Sequence, residues 1–314
     1  MAEIWRIFRS AVRPALRSAF WLLSVMIPVS LAVALLRFYG MLEPLASPLA
    51  GLFRVLGLPG EGALVLVTSI FVNIYSAIAV IGTLSFDLRE VTILALMCLI
   101  SHNLIVETSV VRRIGSNAVS MLLIRLGASL IGGFLLGRIL PGSLSEVAPV
   151  GAGMDAAAGS LAGMLASWGL GSLRLSGKIV AIVVGLTFLS RILEHYQVVN
   201  RISRFFRPVL TALGLPEDAA FLWVVANTLG LAYGAAVMID NVENGKIDRE
   251  KADLLNHHLI ISHSLLEDTL LFVALGVGVF WITVPRLLLA AAVVWTRRGI
   301  VTLGAWNRKV DAVP

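Results

Sequence analysis

Ser101-His102-Asn103-Leu104-Ile105-Val106-Glu107-Thr108 returns 161 residues later as Ser262-His263-Ser264-Leu265-Leu266-Glu267-Asp268-Thr269. Both copies lie inside apolar segments, where a histidine and a carboxylate are costly and, placed twice, point to function. The repetition extends outward from there. An offset of 157 pairs Tyr39 with Tyr196, Leu56-Gly57-Leu58-Pro59 with Leu213-Gly214-Leu215-Pro216, and Ala63 with Ala220. Four extra residues in the polar stretch from Asp240 to Asp253 raise the offset to 161, which aligns Asp87 with Asp248 and Arg125 with Arg286. Shared apolar composition aligns leucines by chance, but not Pro, His, Arg and an acid in one order. The chain therefore divides into a basic amphipathic segment (1–17), a first repeat (18–138), a Gly/Ala-rich linker (139–175), a second repeat (176–298) and a tail (299–314).

Composition sets the solvent. Hydrophobic residues make up 58% of the chain and charged residues 14%, with a mean hydropathy of +0.91. A soluble domain carries about 25% charge, so this reads as an all-α polytopic membrane protein. Cys98 is the single cysteine, which excludes an intramolecular disulfide framework. The net charge of +6 reads as loop bias toward one membrane face, with no nucleic-acid partner expected. The first apolar run is long and lacks a small-residue cleavage site, so it is expected to remain as a helix. Before it, Arg6, Arg9, Arg13 and Arg17 recur at three- and four-residue spacing, with Trp5, Phe8, Val12 and Leu16 on another face. Two readings fit: an interfacial helix on anionic lipid, interrupted near Pro14, or a basic flank that orients the first span.

Apolar patterning predicts helices near 18–38, 62–83, 91–111, 117–138, 177–194, 219–239, 254–275 and 278–297. Short amphipathic pieces are expected near 44–56 and 201–213, and a surface helix near Asp155 to Leu170. If 62–83 and 219–239 are ordinary spans, the positive-inside rule fails, because Arg112 and Arg113 emerge opposite the basic N-terminus. If each is a re-entrant hairpin, the halves become inverted repeats of three crossings. Sixteen basic residues then face the cytoplasm and six the outside, with Arg125, Arg191 and Arg286 inside spans. Both termini would be cytoplasmic, in the cell's inner (cytoplasmic) membrane. Polar residues interrupt the middle of both stretches, Thr68, Ser69 and Asn73 in one, Asn227 and Thr228 in the other. Irregular backbone at that depth requires a lining of protein or water, whereas in ordinary spans such residues serve helix packing.

The Ser-His segments place hydroxyl, imidazole and carboxylate on equivalent helices, a pattern that suits a midplane site for substrate and a coupling ion. Each residue also has a structural reading. Glu107 and Asp268 fit as ion-pair partners of Arg125 and Arg286, and His102 and His263 as core histidines donating to backbone in a broken helix. Glu267 lies four residues after His263, a chelating spacing, but Val106 stands at the matching place, so no metal set is expected. Ser, His and acid occur without a nucleophile elbow or metalloprotease motif, so no enzyme is expected.

Leu56-Gly57-Leu58-Pro59-Gly60-Glu61 followed by Val72-Asn73-Ile74-Tyr75, with Leu213-Gly214-Leu215-Pro216-Glu217-Asp218 as a second copy, resembles the signature of the Gate-domain membrane proteins. These are often labelled nucleoside-recognition proteins. They are related to the transport core of concentrative nucleoside transporters, to Feo-type iron transporter membrane regions and to spore-maturation membrane proteins. The resemblance covers about 20–138 and 177–297. It implies two inverted-topology repeats, each with an interfacial helix, a re-entrant helical hairpin and interrupted transmembrane helices. By position it puts substrate against Thr68, Ser69, Asn73, Ser101, His102 and Asn103 from one half and Asn227, Thr228, Ser262, His263 and Ser264 from the other. Glu107, Glu267 and Asp268 would couple to Na⁺ or H⁺, with no other cofactor. The function expected is secondary transport of a small polar or anionic metabolite, nucleoside-like molecules included. A ligand-binding subunit or sensor that works with a partner membrane protein is the alternative. Membrane lipid surrounds such a core, and a homo-oligomer is expected, with Gly127, Gly132, Gly133, Gly151 and Gly153 permitting close helix approach.

Overall fold

A computed structural model describes residues 2–142, 160–228 and 230–310, and these residues form helices joined by short turns. In chain order the helices are α1 (Ala2–Phe38), α2 (Leu42–Val55), α3 (Gly62–Phe71), α4 (Ile74–Thr83), α5 (Leu88–Ser101), α6 (Leu104–Ile114) and α7 (Ala118–Ile139). There follow α8 (Leu161–His195), α9 (Val198–Ala212), α10 (Ala220–Thr228), α11 (Gly230–Glu243), α12 (Arg249–Ser262), α13 (Glu267–Val273) and α14 (Val279–Val310). Five stretches are long and apolar enough to cross a membrane: Glu3–Phe38, Leu88–Ile114, Ala118–Ile139, Leu161–His195 and Val279–Thr302. Phe20, Leu173 and Leu288 project from the outer helices and would meet lipid.

The centre of the bundle is α5, in which every residue from Val91 to Ser101 is buried. A helix apolar on all sides has no preferred face and belongs in a core. Asp87 starts it with a capping box, accepting from the Glu90 N–H while the Glu90 carboxylate accepts from the Asp87 N–H. Asp248 caps α12 in the same way, accepting from the Lys251 N–H. Lys251 stands where Glu90 does and donates instead to Asp218 at 2.6 Å. That hydrogen bond and the Asp218 charge hold the exposed ammonium's pKa above its ordinary value.

The two Leu-Gly-Leu-Pro corners are equivalent helix stops. Leu58 N donates to Phe53 O at 2.9 Å and Gly57 N to Arg54 O at 3.1 Å; Leu215 N donates to Leu210 O at 2.8 Å and Gly214 N to Thr211 O at 3.0 Å. This Schellman pairing needs a left-handed residue, supplied by Gly57 (φ 74°) and Gly214 (φ 82°), and the proline that follows prevents the helix from resuming. Beyond each corner two short helices pack on each other, α3 with α4 and α10 with α11. In the second pair the contact is backbone to backbone: a Cβ on Gly234 would stand 2.9 Å from Ala226 Cα.

Three expectations are corrected. The helix is not interrupted near Pro14: α1 runs through both Pro14 and Pro28 for 37 residues, about 55 Å. Packing along α8 overrides the proline, because Ala11 and Ala15 are fully buried and contacts run the length of the antiparallel pair, Glu3 to His195, Phe8 to Phe188 and Ser30 to Trp168. The surface helix expected near Asp155 to Leu170 is instead, from Leu161, the start of α8, which Ser160 caps by accepting from Gly163 N at 3.1 Å; residues 155–159 lie outside the described residues. Gly132 and Gly133 face inward, against Leu289 and Met97, where an added Cβ would collide, so they serve packing within the chain. Gly151 and Gly153 lie outside the described residues.

Candidate functional site

The repeated octapeptides are the places where two buried helices break. α5 stops at Ser101, His102 takes extended backbone, Asn103 turns left-handed at φ 51°, and α6 begins at Leu104. α12 stops at Ser262, His263 is extended, Ser264 is left-handed at φ 52°, and the next helix begins only at Glu267. A break leaves carbonyls at one helix end and N–H groups at the other without intrahelical partners. Buried arginines satisfy the carbonyls. Arg125 Nε donates to Ile100 O at 2.9 Å and its Nη2 to His102 O at 2.6 Å. Arg286 repeats this on Ile261 O at 3.0 Å and His263 O at 2.6 Å. On the amide side, Asn103 N donates to Ser69 O at 2.9 Å and Ser264 N to Ala226 O at 3.1 Å. Each of these contacts recurs at the offsets read from sequence, 161 for the broken helices and 157 for Ser69 and Ala226.

Between the breaks the two histidines meet. Their Nε2 atoms are 3.3 Å apart, and each Nδ1 lies against the carbonyl four residues back, Cys98 O at 3.1 Å and Leu259 O at 2.7 Å. A carbonyl only accepts, so each Nδ1 carries the proton and each Nε2 presents a lone pair to the centre. Glu107 Oε1 stands 3.2 Å from His102 Nε2 and 3.3 Å from His263 Nε2. Its other oxygen pairs with Arg125 Nη1 at 2.6 Å. Asp268 Oδ2 lies 3.4 Å from His102 Nε2 and has no hydrogen-bond partner, and Arg286 Nη1 likewise has none. All of these groups are buried, Glu107 at 3% and Asp268 at 5% exposure.

A cavity of about 570 Å³ opens onto this cluster. Of the residues expected to form the site, Asn73, His102, Asn103, Glu107, Ser264, Glu267 and Asp268 line it. Glu267 accepts from Tyr75 Oη at 2.9 Å, and the Asn73 carboxamide accepts from Ser76 N at 2.8 Å, capping α4. His263 sits behind the wall, against His102 and Glu107. The remaining candidates point elsewhere. Ser101 Oγ donates to Met97 O, Thr228 Oγ1 to Val224 O and Asn227 Nδ2 to Trp223 O, each within its own helix. Ser262 Oγ meets His258 Nδ1 at 2.6 Å. Ser69 contributes its carbonyl to the break, and Thr68 is half-buried away from the cavity.

Two contributions escaped the sequence reading. Helix α1 supplies Arg17, Ser18, Trp21 and Leu22 to the cavity wall, although Arg17 belongs to a basic stripe that reads as lipid-facing. Arg125 and Arg286 cap broken helices, a role their shared offset with the histidines signals once the break is known. Chemically, the site offers two imidazole lone pairs and two carboxylate oxygens to one point, with Ser18, Asn73, Asn103 and Ser264 around a metabolite-sized space.

No protein-family model matches the chain, and no solved structure matches it. It is 33% identical over 283 residues to the uncharacterized membrane protein YvoD of Bacillus subtilis (strain 168), and the match covers 88% of each chain. Similarity of that degree over nearly the whole length, together with five apolar membrane-length stretches among the described residues, makes this chain a multi-pass member of the YvoD family of membrane proteins.

Proposed function

We propose that the protein is a secondary transporter for a small polar or anionic metabolite, of the Gate-domain kind. In this reading α2 and α9 are interfacial helices, α3–α4 and α10–α11 are re-entrant hairpins, and α5–α6 and α12–α13 are interrupted spans of two inverted repeats. One observation carries it. The breaks of two buried helices, with their ionisable residues, converge on a single cavity of about 570 Å³, and broken helices at membrane depth are built where substrate and coupling ions bind. Glu107, Glu267 and Asp268 are the groups that would take Na⁺ or H⁺, while Asn73, Asn103 and Ser264 hold the substrate and Arg17 favours an anion.

Contacts at the hairpin bases support the inversion. Arg37 donates to Thr83 O at 2.7 Å and Ser85 Oγ at 3.1 Å where α4 ends, among the six basic residues sorted to the outside. The base of the second pair is tied to Lys251 through Asp218, among the residues sorted to the cytoplasm. Both termini are then cytoplasmic in an inner membrane. With so few long helices around two hairpins, a second copy of the chain shields them from lipid.

The test is uptake into proteoliposomes of labelled uridine and of a labelled small dicarboxylate, under an inward Na⁺ gradient or an inward H⁺ gradient. Saturable, gradient-dependent accumulation of one of them, lost in Asp268→Asn, is the expected result. Ligand-dependent thermal stabilisation without flux under either gradient would replace transport with the sensor reading.

A further inference from the structure

We propose that His102, His263 and Glu107 bind a divalent transition-metal ion of the Zn²⁺/Fe²⁺ type in a four-coordinate site whose fourth position faces the cavity. The inference concerns what the cluster holds and does not rest on the transport reading.

The distances are those of a coordination face. A tetrahedral ion with ligands at about 2.0 to 2.1 Å has ligand atoms about 3.3 to 3.4 Å from one another. His102 Nε2, His263 Nε2 and Glu107 Oε1 form a triangle with edges of 3.3, 3.2 and 3.3 Å, and they are a set able to share one ion. Asp268 Oδ2, 3.4 Å from His102 Nε2, stands beside the open position.

The hydrogen bonding requires a positive charge at that point. With both Nδ1 atoms donating to backbone carbonyls, neither neutral imidazole has an N–H to give across the 3.3 Å contact. Glu107 Oε1 and Asp268 Oδ2 are buried acceptors without a hydrogen bond. Four acceptors packed together without a donor among them would repel. With Arg17 on the cavity wall, three guanidinium groups face three carboxylates, Glu107, Glu267 and Asp268, so the surroundings carry no net charge against a cation.

The supporting contacts also match a metal centre. Ligating histidines usually donate their second ring nitrogen to a carbonyl or carboxylate, and ligating carboxylates are held by their own partners. Here Cys98 O, Leu259 O and Arg125 Nη1 fill those roles. Two imidazoles and one carboxylate select borderline transition metals over Mg²⁺ and Ca²⁺, which prefer oxygen ligands alone.

The experiment uses purified full-length protein in detergent, stripped with chelator and titrated with Zn²⁺ by calorimetry and with Co²⁺ by visible absorption, with Mg²⁺ as the negative probe. One Zn²⁺ per chain and the intense visible bands of four-coordinate Co²⁺ are expected. His102→Ala and His263→Ala should each weaken Zn²⁺ binding at least about 100-fold, while His195→Ala, on the surface, leaves it unchanged. Size exclusion and circular dichroism check each variant, and His102→Gln and His263→Gln replace any alanine variant that misfolds. Absence of stoichiometric Zn²⁺ and Co²⁺ binding by wild type, octahedral Co²⁺ bands, or unchanged binding in folded histidine variants would overturn the proposal and leave a proton on one imidazole as what holds the acceptors together. Organic-solute flux in vesicles is scored separately, so failure of the metal site and failure of the transport reading are distinct outcomes.

Discussion

The two halves build the same break and close it differently. Arg125 and Arg286 make the same pair of bonds to the carbonyls at the end of the preceding helix. Arg125 then forms an ion pair with Glu107 at 2.6 Å, whereas among the described residues no carboxylate comes within ion-pair distance of Arg286, and Asp268 turns to His102 of the other half. The break is also shorter in the first half, where the helix resumes at Leu104, than in the second, where it resumes at Glu267. What repeats is therefore the scaffold, an arginine that satisfies freed carbonyls. What differs is the charge pairing: Glu107 is shared between Arg125 and the two histidines, whereas Asp268 faces the cavity without an arginine in ion-pair contact.

Removing the arginines gives the sharpest test of that division. Arg125→Ala loses two charge-assisted bonds and also strands a buried Glu107, so it should cost about 3 to 5 kcal/mol of stability. Arg286→Ala loses the same two carbonyl bonds without breaking a direct ion pair and should cost about 2 to 3 kcal/mol. Unfolding of both variants in detergent, followed by circular dichroism, checks the order. Equal losses would mean that the Arg125–Glu107 pair adds nothing to the support.

The acids should separate next, and on two different readouts. Glu107→Gln leaves Arg125 buried without its counter-charge and should lower stability by about 3 kcal/mol. Asp268→Asn removes a buried carboxylate oxygen that has no hydrogen bond, so stability should change by less than about 1 kcal/mol, while uptake into vesicles is lost. Paired unfolding and uptake measurements on the two variants decide it. A large stability loss in Asp268→Asn would show that the second acid is also structural, and the contrast between the halves would fall.

Much of this architecture was legible because the residues that dictate it are of restricted type. A Schellman stop needs a left-handed residue, so Gly57 and Gly214 with the prolines that follow mark the same corner twice. The two Ser-His segments marked the site, whereas apolar patterning ran helices straight through them, over 91–111 and 254–275, and only the family resemblance implied the interruptions at 102–103 and 263–266. The arginine caps were not legible, because they join residues 23 and 25 positions apart, and periodicity carries no information about such a contact. The hydroxyls of Ser101 and Thr228 misled for a local reason: inside a helix they bond the carbonyl four residues back and never reach the cavity. Continuity of α1 through Pro14 was invisible for the opposite reason, as it depends on a tertiary partner, α8, more than 150 residues away.

The smallest expected effect concerns the turn residues themselves. Asn103 and Ser264 occupy the same left-handed conformation, at φ 51° and 52°, and asparagine tolerates it better than serine because its carboxamide can bond locally. Ser264→Asn should therefore raise stability by less than about 1 kcal/mol, and Asn103→Ser should lower it by a similar amount. Melting temperatures of the two single variants and of the exchanged pair measure this. If the backbone alone sets the preference, the shifts have opposite signs and cancel in the exchanged pair. Unequal shifts would place the difference in the side chains' cavity contacts, since both residues line it, and would extend the asymmetry of the two halves from their charges to their turns.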